Sequence, residues 1–184
     1  MNGITSLEEK QLSSEQIYDG KIIKLYRDTV SLPDGNEAFR EVVRHPGAVC
    51  VVPLTDNDEV ICVRQYRYPF SRVTLEIPAG KLDSPNEDPR EAALRELREE
   101  TGATCEDLTF IGEFYGSPAI LDEVIYMYYA KGLSFGETDP DDDEFIEAER
   151  IPLRDLIEMI AKGDIRDAKT QLAVFKTAYI LGKL

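Results

Sequence analysis

Glu96, Glu99 and Glu100 fall within five residues of one another, with Arg95 directly before them and Asp88, Glu91 upstream. At helical spacing Glu96 and Glu100 share one face, Glu99 lies beside them, and Arg95 stands four residues from both Glu91 and Glu99. Two carboxylates set four apart repel by roughly 0.2–0.5 kcal/mol in water. Most clusters of this kind are solvated helix faces. The chemistry such a cluster can do is to hold a hard divalent cation. Carboxylate oxygens suit Mg²⁺ or Mn²⁺, and Mg²⁺ is commonly shared with the phosphates of a substrate.

The element that must position these groups is well marked. Asp88 suits an N-cap, Pro89 the first helical position, and Glu91 lands three residues after the cap to complete a capping box. Gly102 suits the position just past the end. A helix is therefore expected between them, with Ala93, Leu94 and Leu97 as its apolar face and Glu96 and Glu100 facing outward together. Upstream lie Gly80 and Glu87. Taken in order, Gly80, Glu87 and Arg95-Glu96-Leu97-x-Glu99-Glu100-x-Gly102-Ala103 resemble the signature of the Nudix hydrolases. One departure stands out: six residues, Lys81 to Asn86, separate Gly80 from Glu87, one more than the pattern has. The surplus falls in a loop, where insertions are tolerated.

The resemblance implies an α/β fold, the Nudix α/β/α sandwich with a mixed sheet, plus an N-terminal β-hairpin extension. It implies hydrolysis of a nucleoside diphosphate linked to another group. Carried over by position, Glu96, Glu100 and the carbonyl of Ala79 would ligate metal, Glu99 would assist as ligand or orienter, and Arg95 would hold the acidic cluster. The cation implied is Mg²⁺, with Mn²⁺ as the alternative. A pyrophosphate is densely anionic, so carboxylates approach it only with divalent ions between.

From Glu9 to Lys176 the chain also resembles the ADP-ribose pyrophosphatase branch of that family. Ser117-Pro118 matches the branch's marker proline, with Asp122-Glu123 after it, although Ala119 stands where a glycine is usual. Gln65-Tyr66-Arg67-Tyr68-Pro69 matches a strand end whose arginine, Arg67, would bind the diphosphate or nucleotide. Pro118 and Glu123 are carried over to the substrate pocket, and Arg40 and Arg44 are further candidates. No tryptophan is present, so adenine stacking falls to Tyr or Phe, with Tyr26 and Phe39 as candidates. In the acidic run Asp139-Pro140-Asp141-Asp142-Asp143-Glu144, the resemblance makes Glu144 the general base or a further metal ligand, with Asp142 second. Asp167-Ala168-Lys169-Thr170 matches the branch too, and helix capping is the one role its residues suggest. The branch uses the N-terminal hairpin to form a homodimer and to complete the partner's adenosine pocket. The expected reaction is hydrolysis of ADP-ribose to AMP and ribose 5-phosphate. The alternatives are action on other nucleotide sugars or FAD, or a non-catalytic ADP-ribose sensor.

Composition narrows the remaining classes. The 184 residues carry 36 acidic and 21 basic side chains, for a net charge of −15. That argues against nucleic acid or an anionic membrane as partner, and leaves a small nucleotide. A single histidine, His45, excludes a multi-histidine zinc site and reads as structural. Cys50, Cys62 and Cys105 are odd in number and far apart, so buried reduced thiols in a cytoplasmic protein are expected. The N-terminal sequence offers no signal-peptide pattern, and the longest apolar run, Ala48 to Leu54, is too short to span a bilayer.

The expected organisation is a polar tail and hairpin over 1–46 and a Nudix domain over 47–184. Residues to about 14 read as tail, with a short strand over 16–18. Strands over 22–32 and 37–45 flank the turn Pro33-Asp34-Gly35-Asn36. Ala48 to Leu54, a near-continuous apolar run, reads as a central strand. Further strands are expected over 59–68, 72–77, 108–115, 123–130 and 144–151. Residues 132–143 read as a long acidic loop, and helices are expected over 153–161 and 169–181.

Overall fold

The computed structural model describes residues 7–138 and 145–184. These divide into two compact units: residues up to 46 with 115–123, and residues 47–114 with 124–184.

The first unit is built on a three-stranded antiparallel sheet of β1 (Lys10–Asp19), β2 (Lys24–Ser31) and β3 (Glu37–Arg44). The turn at Gly35, with φ of 87°, closes β2 on β3 as the turn residues predicted. The expectation of a tail to residue 14 and a short strand over 16–18 is corrected, because β1 runs for ten residues. Polar composition hid it: β1 is exposed at every position, so its pairing with β2 owes nothing to a buried face. Residues 115–123 join β3 through Val43 N–H to the Ile120 carbonyl (2.7 Å) and Asp122 N–H to the Val43 carbonyl (3.2 Å).

The second unit contains β4 (Ala48–Pro53), β5 (Glu59–Arg67), β6 (Arg72–Glu76), β7 (Ala79–Lys81), α1 (Pro89–Thr101), β8 (Ala103–Tyr115), β9 (Val124–Phe135), β10 (Ile146–Pro152), α2 (Leu153–Lys162) and α3 (Ala168–Ile180). One sheet runs β7-β4-β9-β8 and is mixed: β4 is parallel to β9 and antiparallel to β7. A second, antiparallel sheet runs β10-β5-β6.

Strand β4 shows why the core forms. Its residues alternate between two apolar clusters. Val49 and Val51 pack with Ala92, Ala93 and Leu97 of α1, while Cys50 and Val52 pack with Leu156 and Ile160 of α2 and Val174 and Ala178 of α3. Helices therefore cover both faces of the sheet, which is the α/β/α sandwich the sequence implied.

Three boundaries differ from expectation. The short strand β7 takes residues for which no strand was expected, because Val49 and Cys50 pair with Gly80 and Ala79. Strand β8 begins at Ala103 rather than 108. Strand β9 continues through Gly132–Phe135, which the glycine and polar residues had suggested were loop. Cys50 and Cys62 are buried, but Cys105 is only partly so.

Candidate active site

Helix α1 is held at both ends. Asp88 accepts from Arg90 N–H at 2.8 Å, Pro89 follows, and Gly102 closes the helix at φ 67°. The expected capping box does not form: Asp88 takes the N–H of Arg90 rather than that of Glu91, and Glu91 lies exposed beside Arg90. Ala92, Ala93 and Leu97 form the buried stripe, and Leu94 is only partly covered.

Glu96 and Glu100 do not face outward. They are 8% and 4% exposed, because the backbone of β7 passes over them. Glu100 Oε2 accepts from the Ala79 N–H at 3.1 Å. A methyl group at position 80 would overlap the Glu96 carboxylate, so only glycine leaves that space. The motif glycine thus makes a cradle in which two carboxylates and the backbone of Ala79 meet.

Arg95 gathers the rest of the acidic cluster. Its guanidinium lies 2.7 Å from Glu96, 3.1 Å from Glu99, 3.4 Å from Glu87 and 3.7 Å from Asp83, and it donates to the Lys81 carbonyl at 3.2 Å. Burial acts to lower its pKa, but the charge and hydrogen bonding of Glu96, then Glu87 and Asp83, raise it well above the ordinary value. The loop with its extra residue is tied down by Glu87, which accepts from Asp83 N–H at 2.6 Å. Among the described residues no three acidic, His or Cys side chains are arranged as a closed metal cage; Arg95 stands among the carboxylates instead.

Arg67, at the end of β5, meets a partner that sequence reasoning missed. Glu76 accepts from its Nε at 2.9 Å and Nη2 at 2.7 Å, and from Thr74 Oγ1 at 2.6 Å. Lys169 also donates to Glu76. Glu76 is 2% exposed. Burial alone would push its carboxyl up, but Arg67 and Lys169 hold it down at about 2. The Arg67 guanidinium is raised by its bond to Glu76 against the effect of burial, and the charges of Asp167 and Glu100 add to it. Arg67 therefore stands within electrostatic reach of the cradle. It also borders a cavity of about 310 Å³ that Phe70, Arg72 and Arg166 help line. The available signal for Glu76 was a carboxylate inside the apolar run Leu75-Glu76-Ile77, three residues before the cradle.

In the first unit, Arg44 donates to Asp122 Oδ2 at 3.1 Å and to Asp28 Oδ2 at 3.4 Å, and lies over the Tyr26 ring at 5.9 Å. His45 Nδ1 lies 3.2 Å from Glu123 Oε1, and the His45 backbone N–H donates to Asp122 Oδ1 at 2.8 Å. Pro118 sits in a turn closed by Ile120 and Leu121 N–H groups on the Ser117 carbonyl. Arg44, Pro118 and Glu123 are thus joined through one loop. Arg40 is instead taken up by Glu9, and Phe39 lies exposed under Arg27. Asp142 and Glu144 lie outside the described residues.

Comparison with known proteins agrees with this geometry. The NUDIX domain family model matches residues 44–172, and the nucleoside diphosphate sugar hydrolase N-terminal domain model matches residues 9–43. The chain is 46% identical over 171 residues to an ADP-ribose pyrophosphatase of Bacillus subtilis (strain 168), covering 92% of each chain. It is 46% identical over 169 residues to a methanol dehydrogenase activator of Bacillus methanolicus, covering 91% of each. It is 33% identical over 175 residues to a GDP-mannose pyrophosphatase of Yersinia enterocolitica, covering 88% of this chain and 90% of that one. The crystal structure of an ADP compounds hydrolase shares the fold, with a TM-score of 0.84 at 24% identity over 97% of this chain and 99% of that one. The matched NUDIX domain takes in Arg67, the glycine cradle and the acidic helix together, and the chain belongs to the Nudix family.

Proposed function

We propose that this protein is a divalent-metal-dependent pyrophosphatase that hydrolyses ADP-ribose to AMP and ribose 5-phosphate. The observation that carries the chemistry is the cradle at Ala79–Gly80, where two buried carboxylates meet a backbone that only glycine allows so close. The substrate follows the B. subtilis relative. Hard oxygen donors on a buried face fit Mg²⁺, or Mn²⁺ in its place. Glu96, Glu100 and the Ala79 carbonyl would hold the ion, with Glu99 as further ligand or orienter. When bound, the ion neutralises the diphosphate and lowers the pKa of an attacking water.

The chain's own groups do the rest. Arg95 keeps the carboxylates gathered despite their mutual repulsion. Arg67 offers its guanidinium to the diphosphate. Glu144, or Asp142 after it, takes the proton from the water. Arg44, Pro118 and Glu123 serve the nucleotide, with Arg40, Tyr26 and Phe39 as further contacts. The chain divides functionally into an extension over 1–46 and a catalytic domain over 47–184. The extension pairs two copies in a homodimer. Strand β1 supports that role: it is exposed throughout, and Leu12, Ile17 and Tyr18 lie on it. Free thiols at Cys50, Cys62 and Cys105 suit the cytoplasm. No helix among the described residues is long and apolar enough to cross a membrane.

A second reading, hydrolysis of other nucleotide sugars, is favoured by the N-terminal domain match and the GDP-mannose relative. Initial rates on ADP-ribose, GDP-mannose and FAD, with Mg²⁺, Mn²⁺ or a chelator, separate the two. ADP-ribose is expected to be fastest and the chelator to abolish turnover. Faster GDP-mannose cleavage selects the second reading. Binding of ADP-ribose with no turnover under any divalent ion would make the protein a sensor.

A further inference from the structure

Asp167-Ala168-Lys169-Thr170 reads in the sequence as a helix start, and the structure gives it a second task. Asp167 caps α3, accepting from Thr170 N–H at 2.9 Å and Thr170 Oγ1 at 2.6 Å. The Thr170 hydroxyl oxygen in turn accepts from Ile77 N–H at 3.0 Å, which ties the cap to the residue after Glu76. Lys169 donates to Asp167 Oδ1 at 2.9 Å and to Glu76. Glu76 thus receives Arg67, Thr74 and Lys169 at once. Arg67 spends its Nε–Nη2 edge on that carboxylate, and among the described residues its Nη1 makes no hydrogen bond.

A long arginine at a strand end has several rotamers, and a single ion pair at a half-exposed site does little to choose among them. Glu76 chooses because it cannot itself turn: it is buried, and Lys169 and Thr74 fix both of its oxygens. Lys169 is placed by the capped first turn of α3. The chain of contacts runs from the helix cap, through lysine and glutamate, to the arginine.

We propose that Lys169 and Glu76 are positioning residues for Arg67, holding its free guanidinium edge ready for the substrate's diphosphate. The inference rests on the reading of Arg67 as a diphosphate ligand. It gives the Asp-Ala-Lys-Thr stretch a role in substrate affinity that capping alone does not supply.

The test uses the full chain with Mg²⁺ and ADP-ribose. KM and kcat are measured for Arg67→Ala, Lys169→Met, Lys169→Arg, Glu76→Gln and the double variant Arg67→Ala/Lys169→Met. Calorimetric Kd values in chelator and thermal midpoints accompany them. Lys169→Met is expected to raise KM and Kd about tenfold with kcat little changed. Lys169→Arg should recover most of the loss. In the Arg67→Ala background Lys169→Met should cost nothing more, while its thermal midpoint still falls as it does in wild type. Equal losses of affinity in both backgrounds, or an unchanged KM, would overturn the inference. If Lys169→Met does not fold, Glu76→Gln carries the same comparison. If Arg67→Ala leaves KM unchanged, the diphosphate reading fails, and the inference falls with it.

Discussion

Two clusters of charge within the second unit invert one another. On α1, one guanidinium, Arg95, stands among Asp83, Glu87, Glu96 and Glu99, with Glu100 buried beside them. At the end of β5 and β6, one carboxylate, Glu76, stands between Arg67 and Lys169. Among the described residues the first cluster sets five carboxylates around Arg95, with Arg98 at 3.9 Å from Glu99. The second is closed: Asp167 and Glu76 match Arg67 and Lys169 in number. Ion pairs of the same chemistry therefore serve opposite ends. On the readings proposed above, the acidic cluster offers a face to a cation, and the balanced network fixes the direction of one side chain.

The sharpest break in the comparison is at Glu100. Glu100→Gln keeps an acceptor for the Ala79 N–H but removes a charge from the acidic cluster. Turnover is expected to fall by roughly 10²–10³-fold with the circular dichroism spectrum unchanged. Retention of more than a tenth of the activity would show that the acidic cluster is not what the reaction uses.

Acid should loosen the balanced network first. The folded-state pKa of Glu76 is about 2, against an ordinary value of 4.5. Its folded value is depressed, so its contribution is complete above the unfolded value and is lost as pH falls from 4.5 toward 2. That contribution is about 3 kcal/mol. The groups facing Glu76 are Arg67, Thr74 and Lys169, with Asp167 behind the lysine, and neither cation titrates in that range. The stability gap between wild type and Glu76→Gln, read from urea unfolding at pH 6, 4 and 3, should narrow on acidification. A gap independent of pH would remove the charge network from the account.

The mildest change is at Gly80. The atoms an added methyl meets most closely are the end of the Glu96 side chain and not backbone, and the backbone there is not left-handed. Gly80→Ala should therefore fold with nearly unaltered thermal midpoint while needing about tenfold more Mg²⁺ for half-maximal rate. A large stability loss with unchanged metal dependence would mean that the cradle serves folding instead.

The acidic helix was readable because its signals are local: a cap, a proline, a closing glycine and carboxylates at helical spacing. The apolar run of β4 likewise announced a strand covered on both faces. What escaped reading depends on the partner. Strand β1 is polar and exposed, so neither periodicity nor propensity marked it, and only the register with β2 makes it a strand. Glu96 and Glu100 looked outward because spacing gives the shared face of a helix but not what passes over it. Glu76 and Lys169 lie 93 positions apart, and no local pattern joins a carboxylate in one apolar strand to the first turn of the last helix.

The alternation along β4 has a consequence for cooperativity. Its first five residues send neighbouring side chains into the two apolar clusters, one under α1 and one under α2 and α3. Neither helical layer can peel away without stripping the strand the other needs. The layer that carries the acidic cluster and the layer that carries Lys169 therefore open and close as a single thermodynamic unit. Cys50 lies at the centre of that unit, its thiol pushed up to about 12 by burial. It stays protonated and chemically silent for as long as both layers are shut.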